Sequence, residues 1–166
     1  MMRMIIDALI LWIHLFSAVI FVGGSFFIWF AVVPASHHFA RDESERTQIV
    51  GKIAKSFARI TNLTLIILVI TGIYNISWYL PSYSDMFAFQ TFEEKVLLTK
   101  MVLVLVLIVL IYLHGAYYGR KISKLAIQKD IEGLKSIRKK SRIISYTNLA
   151  LMIVILALAT MLQTPP

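Results

Sequence analysis

The chain has 166 residues, of which 58% are hydrophobic and only 16% charged, with no cysteine and a net charge of +8. So little charge excludes an ordinary soluble domain and places the chain among membrane proteins. The missing cysteine excludes disulfides, thiolate metal sites, c-type haem attachment and cysteine nucleophiles, leaving His, Met, Lys and carboxylates for any chemistry. The basic residues cluster beside apolar runs, which reads as membrane topology and anionic lipid contact, with no nucleic-acid partner.

Four apolar runs are long enough to cross a bilayer as helices, at about 8–35, 60–80, 97–119 and 143–162. None alternates apolar and polar residues, so a membrane β-barrel is excluded. The expected fold is all-α: one domain over 1–166, an integral membrane four-helix bundle.

The first run opens after Asp7 and carries His14 in its first third. Val33-Pro34-Ala35 loosely fits a signal cleavage site, but Asp7 interrupts the leader and the apolar stretch is too long for one. It reads as a span. Ser17, Ala18, Phe21 and Ser25 follow His14 at helical spacing, with Gly23 and Gly24 alongside. That small-residue face suits close helix packing and equally makes room for a flat cofactor.

A charged connection over 36–59 follows, carrying His37, His38 and Arg41 and ending at Arg59. Arg59 is a candidate holder of a propionate or phosphate, with Asn148 as a partner near the same height. Thr71, Gly72 and Asn75 polarise the second run, which Pro81 is expected to stop. The connection from Pro81 to Phe92 carries only Asp85 as a formal charge.

The third helix is expected to begin near Phe92 and to overrun the membrane to about Ala126. Lys100, Val104, Leu107, Ile111 and His114 form one stripe on it, because fourteen residues at about 100° each nearly return to the starting face. The segment 120–142 then holds nine Lys or Arg against Asp130 and Glu132. This bias puts 36–59 and 120–142 in the cytoplasm and both termini outside.

An ionisable group inside a span needs a partner, a cofactor or a water-filled cavity. At about 1.5 Å per residue, His14 lies roughly 6–10 Å below the outer surface of the hydrocarbon. His114 lies roughly 9 Å from the inner surface, hence about 15 Å from His14 along the membrane normal. The two are therefore not expected to share one haem. Lys100 is the neighbour of His14 in height. The methionines at 1, 2, 4, 86, 101 and 161 fall on the outer side, where thioethers suit Cu(I) or an axial haem position; Met101 is the nearest candidate.

Two sets of residues resemble known families. His14-Leu-Phe-Ser-Ala-Val-Ile-Phe-Val-Gly23-Gly24 with Val33-Pro34, then Thr71-Gly72-Ile-Tyr-Asn75 and Leu97-Leu98-Thr99-Lys100, is similar to the CopD (copper resistance D) domain. His14, Lys100 and Tyr112-Leu113-His114 also resemble the HemJ-type protoporphyrinogen oxidases, whose Pro-Arg-Leu element is replaced here by Phe30-Ala-Val-Val-Pro34. The HemJ-type resemblance implies b-type haem with His14 as axial ligand and Lys100 as a functional, candidate catalytic residue. Lys100 would help hold the cofactor, and His114 and Arg59 would serve an inner site, either binding a second haem or forming a proton path.

The leading expectation is a haem b protein with a redox role, in transmembrane electron transfer or tetrapyrrole oxidation. A quinone, a tetrapyrrole or a redox protein would be its partner. The CopD resemblance implies the alternative, copper uptake or handling through His14 with Met101, Met4 or Met161, with a homodimer forming the path. A third alternative is an accessory subunit without cofactor. The location expected is a cell membrane, crossed several times, in a prokaryotic inner membrane.

Overall fold

A computed structural model describes residues 2–77 and 91–162. The expected stop at Pro81, the connection around Asp85, and Met1 and Met86 lie outside the described residues. Everything regular among the described residues is helical. The elements are α1 (Met2–Phe27), α2 (Val33–Phe39), α3 (Glu43–Ile76), α4 (Phe92–Leu113), α5 (Arg120–Ile127) and α6 (Ile131–Met161). Short π-helical turns, Ile28–Val32 and His114–Gly119, join α1 to α2 and α4 to α5 without breaking the rod.

The result is four continuous rods long and apolar enough to cross a membrane, Met2–Phe39, Glu43–Ile76, Phe92–Ile127 and Ile131–Met161. The end carrying the basic connections is called the inner end below, from its charge.

Local sequence accounts for the helix starts. Asp42 caps α3 by accepting from the Glu45 amide at 2.7 Å, and Asp130 caps α6 by accepting from Gly133 at 2.9 Å. Thr91 and Glu94 form a reciprocal capping box at the start of α4. Pro34 explains the first π turn: a proline ring inside an α-helix clashes with the carbonyl four residues back. The wider register, with the Val33 amide bonded to Ile28 O, relieves that crowding.

α1 packs antiparallel on α3, and α4 antiparallel on α6. The first pair is pinned along its length. Tyr74 donates to Asp7 at 2.7 Å near the outer end, and Arg46 donates to His37 at the inner end. Between them a Cβ at Gly24 would collide with the Phe57 ring, so glycine sets how closely these helices approach.

All four rods meet at mid-height in one apolar layer of Phe21, Leu65, Leu107, Leu149 and Met152. A smaller layer of Ile76 and Leu97, with Leu98, Met101 and Leu162 against it, closes the outer end. Trp12, Phe16, Leu63, Ile70 and Leu105 stay exposed on the opposite faces, as lipid contact requires.

The inner end is tied by polar contacts. Ser44 donates to Ala126 O at 2.6 Å. The Glu43 carboxylate takes Arg46 at 2.7 Å and also Arg138 from α6.

Candidate metal-cofactor site

Between the two apolar layers lies a polar one. On α1 it begins with His14 and the buried Ser17, two turns and one turn outward of Phe21 respectively. On α3 it is Thr71, Gly72 and Asn75, which fall between Leu68 of the middle layer and Ile76 of the outer one. On α4 it is the half-buried Lys100, seven residues outward of Leu107. The stripe read from sequence on α4 is the inward one: Leu107 is buried and Lys100, Val104, Ile111 and His114 are half-buried, while Val102, Leu105 and Val109 are exposed.

His14 Nδ1 lies 2.7 Å from Thr71 Oγ1. That hydroxyl has one proton, and it is directed at Ile67 O, 2.6 Å away. With its proton on Ile67 O, Thr71 accepts from His14 Nδ1–H, an assignment of the tautomer that leaves Nε2 as a lone pair. This is the arrangement in which a histidine ligates a metal, one nitrogen held by an outer partner and the other presented to the ion. Gly72 lies beneath the ring: a Cβ there would sit 3.4 Å from His14 Cε1.

Lys100 is within electrostatic reach of His14, and no carboxylate among the described residues forms an ion pair with it. Asn75 Oδ1, on the same α3 face one turn outward of Thr71, is buried and accepts no hydrogen bond. The layer thus offers one neutral metal donor, one cation and one unsatisfied carbonyl oxygen. A haem could use all three groups, the ring nitrogen as a ligand, the cation beside a propionate and the oxygen as a polar contact.

The remaining sequence candidates lie elsewhere. Met101 packs into the outer apolar layer with Ile76 and Leu97, and Met4 is 74% exposed on the lipid side. Among the described residues no three His, Asp or Glu side chains gather as a metal cluster. His114 is in a separate layer, inward of Leu107, where its Nε2 lies 2.7 Å from Ser141 Oγ and 3.4 Å from Ser145 Oγ. The apolar middle layer separates the two histidines, in keeping with the height argument.

Arg59 is exposed, and Asn148 is buried with an Oδ1 that accepts no hydrogen bond. The expected Arg59–Asn148 pairing is therefore not made: Arg59 follows the lipid-facing side of α3, whereas Asn148 faces the bundle.

Sequence reasoning picked out Thr71, yet not as the partner of His14, and it missed Ser141 and Ser145 altogether. A signal for the serines was there. Ser141, Ser145 and Asn148 recur at helical spacing on the buried face of α6.

Comparison with curated proteins and with solved structures finds no match. The model of the family "Copper resistance protein D" matches residues 51–162, which take in Thr71, Asn75, Lys100 and His114 and leave out α1 with His14. Together with the four apolar rods, this identifies a multi-pass membrane protein, and the chain belongs to the copper resistance protein D (CopD) family.

Proposed function

We propose that the outer polar layer is a cofactor site in which His14 Nε2 ligates a b-type haem, and that the protein serves a redox role in the membrane. The observation that supports this reading is the His14–Thr71 hydrogen bond, which leaves Nε2 free in the tautomer where Thr71 donates to Ile67 O. When bound, haem supplies one-electron redox chemistry. Thr71 holds the imidazole plane and raises the basicity of Nε2 by accepting its other proton. Lys100 sets a positive charge beside the site, which favours propionate binding and an electron-rich reduced state. The apolar layers above and below exclude bulk water.

Electrons would be exchanged with a quinone, a tetrapyrrole or a redox protein, in a prokaryotic inner membrane. His114, engaged by Ser141 and Ser145, serves as an inner polar anchor in this reading and not as a second haem ligand.

The family match supports a second reading, copper as cargo, with His14 as the outer donor. Detergent-purified protein from haem-replete cells separates the two. A Soret band and a reduced-minus-oxidised spectrum that vanish in His14→Ala support the first. Stoichiometric copper with no haem supports the second. Colourless protein that takes up neither added haemin nor copper refutes both.

A further inference from the structure

Between Lys100 and Arg120 the third rod carries no Lys, Arg, Asp or Glu, so Arg120 marks where it leaves the hydrocarbon. There the π turn His114–Gly119 hands the chain to α5. On α5, Ala126 is buried and Ile122 and Leu125 are half-buried, whereas Arg120, Lys121 and Lys124 are exposed. Among the described residues none of these three cations forms an ion pair. Lys124 follows Lys121 by three residues and Arg120 by four, spacings at which like charges on a helix repel.

The exposed face is not flat. Ala116, Tyr117 and Leu125 join the three cations and Gln128 around a recess of about 500 Å³. One wall is the Tyr117 ring, with Lys121 Nζ 5.7 Å from its centroid. Tyr117 stands edge-on to Tyr118, centroids 5.0 Å apart, and Tyr118 lies 5.9 Å from the His114 ring. His114 is in turn bonded to Ser141, so this wall is tied to α6. The recess straddles the charge boundary, with Ala116 and Tyr117 on its apolar side and Lys124 and Gln128 on its polar side.

The geometry points to a binding site for one anionic phospholipid in this recess, its phosphates set on Arg120, Lys121 and Lys124. The level is that of the inner headgroups, and the three cations lack a counter-charge from the protein. Tyr112 and Leu113, exposed on the turn next outward, give the acyl chains an apolar surface that a soluble anion does not use. Three cations exceed the single charge of one phosphodiester, so a headgroup with two phosphates, of the cardiolipin class, fits best. This goes beyond the general attraction of basic loops to a charged leaflet, because a walled recess holds one lipid at a fixed place. The site does not depend on whether the outer layer holds haem or copper.

Native mass spectrometry of the full chain, delipidated in a neutral detergent, tests this by counting retained cardiolipin. One molecule is expected to be held, and zwitterionic phosphatidylcholine to bind about tenfold more weakly or worse. Changing Arg120, Lys121 and Lys124 together to Gln should weaken cardiolipin binding about tenfold or more. The control changes Lys135, Lys139 and Lys140 to Gln, three exposed cations of α6 at the same end that do not line the recess. Its affinity should stay within about twofold of native, since charge alone is then not the cause.

Ala116→Trp keeps every charge but fills the recess, and should weaken cardiolipin binding as the triple change does. All the altered side chains are exposed, so the melting temperature without lipid should stay native. Equal losses in the two triple variants, native affinity in Ala116→Trp, or equal retention of the zwitterionic lipid each overturns the site.

Discussion

Thr71→Val is the sharpest perturbation of the outer site, because it removes one oxygen and keeps the shape of the side chain. In the native structure Thr71 Oγ1 accepts the Nδ1 proton of His14 at 2.7 Å. With valine, that proton points at a methyl group in a half-buried layer, at a cost of about 1–3 kcal/mol. The imidazole escapes by moving its proton to Nε2 or by turning, and either change withdraws the lone pair from the site. Loss of such an outer partner typically weakens metal binding about 10–100-fold, or roughly 1.4–2.8 kcal/mol.

Haemin titration of apoprotein, followed by the Soret band, measures this directly. His14→Ala is expected to abolish the band, and Thr71→Ser to retain native affinity because its hydroxyl still accepts. Native affinity in Thr71→Val would refute the argument that this hydrogen bond sets the tautomer of His14.

Other variants test the remaining contacts. Lys100→Gln should lower the midpoint potential of bound haem by removing a cation that favours the reduced state, and Lys100→Arg should restore it; an unchanged potential in Lys100→Gln places the ammonium out of reach. Gly24→Leu should drive Phe57 away and part α1 from α3, lowering the melting temperature, with partial recovery in Gly24→Leu/Phe57→Ala. Glu43→Gln leaves Arg46 and Arg138 without their shared carboxylate and should destabilise by about 1–3 kcal/mol, measured by thermal denaturation in detergent. Lys129, which holds a left-handed φ of 55° between α5 and α6, should gain about 1 kcal/mol in the same assay when changed to glycine.

The four rods were legible because bilayer thickness imposes a length and composition that no other fold demands. The inward stripe on α4 was legible for a related reason: Lys100 and His114 are costly in lipid, so the face bearing them turns inward and carries Leu107 and Ile111 with it. The separation of His14 from His114 followed from rise per residue alone.

What could not be read was pairing between rods. That Thr71 meets His14 depends on the register of α3 against α1, which Gly24, Phe57 and the π turn before Pro34 set jointly. Arg59 and Asn148 have similar heights, yet height says nothing about azimuth, and α3 turns Arg59 to the lipid. Met101 lies near the right depth and still packs with Ile76 and Leu97, because a thioether is as good an apolar filler as a ligand.

The middle layer of Phe21, Leu65, Leu107, Leu149 and Met152 has an electrical consequence. A transmembrane voltage falls mainly across material of low polarisability, and both the middle and the outer apolar layers belong to that material. From His14 to Phe21 the chain rises about 10 Å, roughly a third of a hydrocarbon core about 30 Å thick. One charge crossing that third of the field would meet roughly a third of the ~2.3 kcal/mol that each 100 mV supplies. Under the proposed redox role, a charge passing between the His14 level and the middle layer would therefore respond to voltage, whichever carrier makes it.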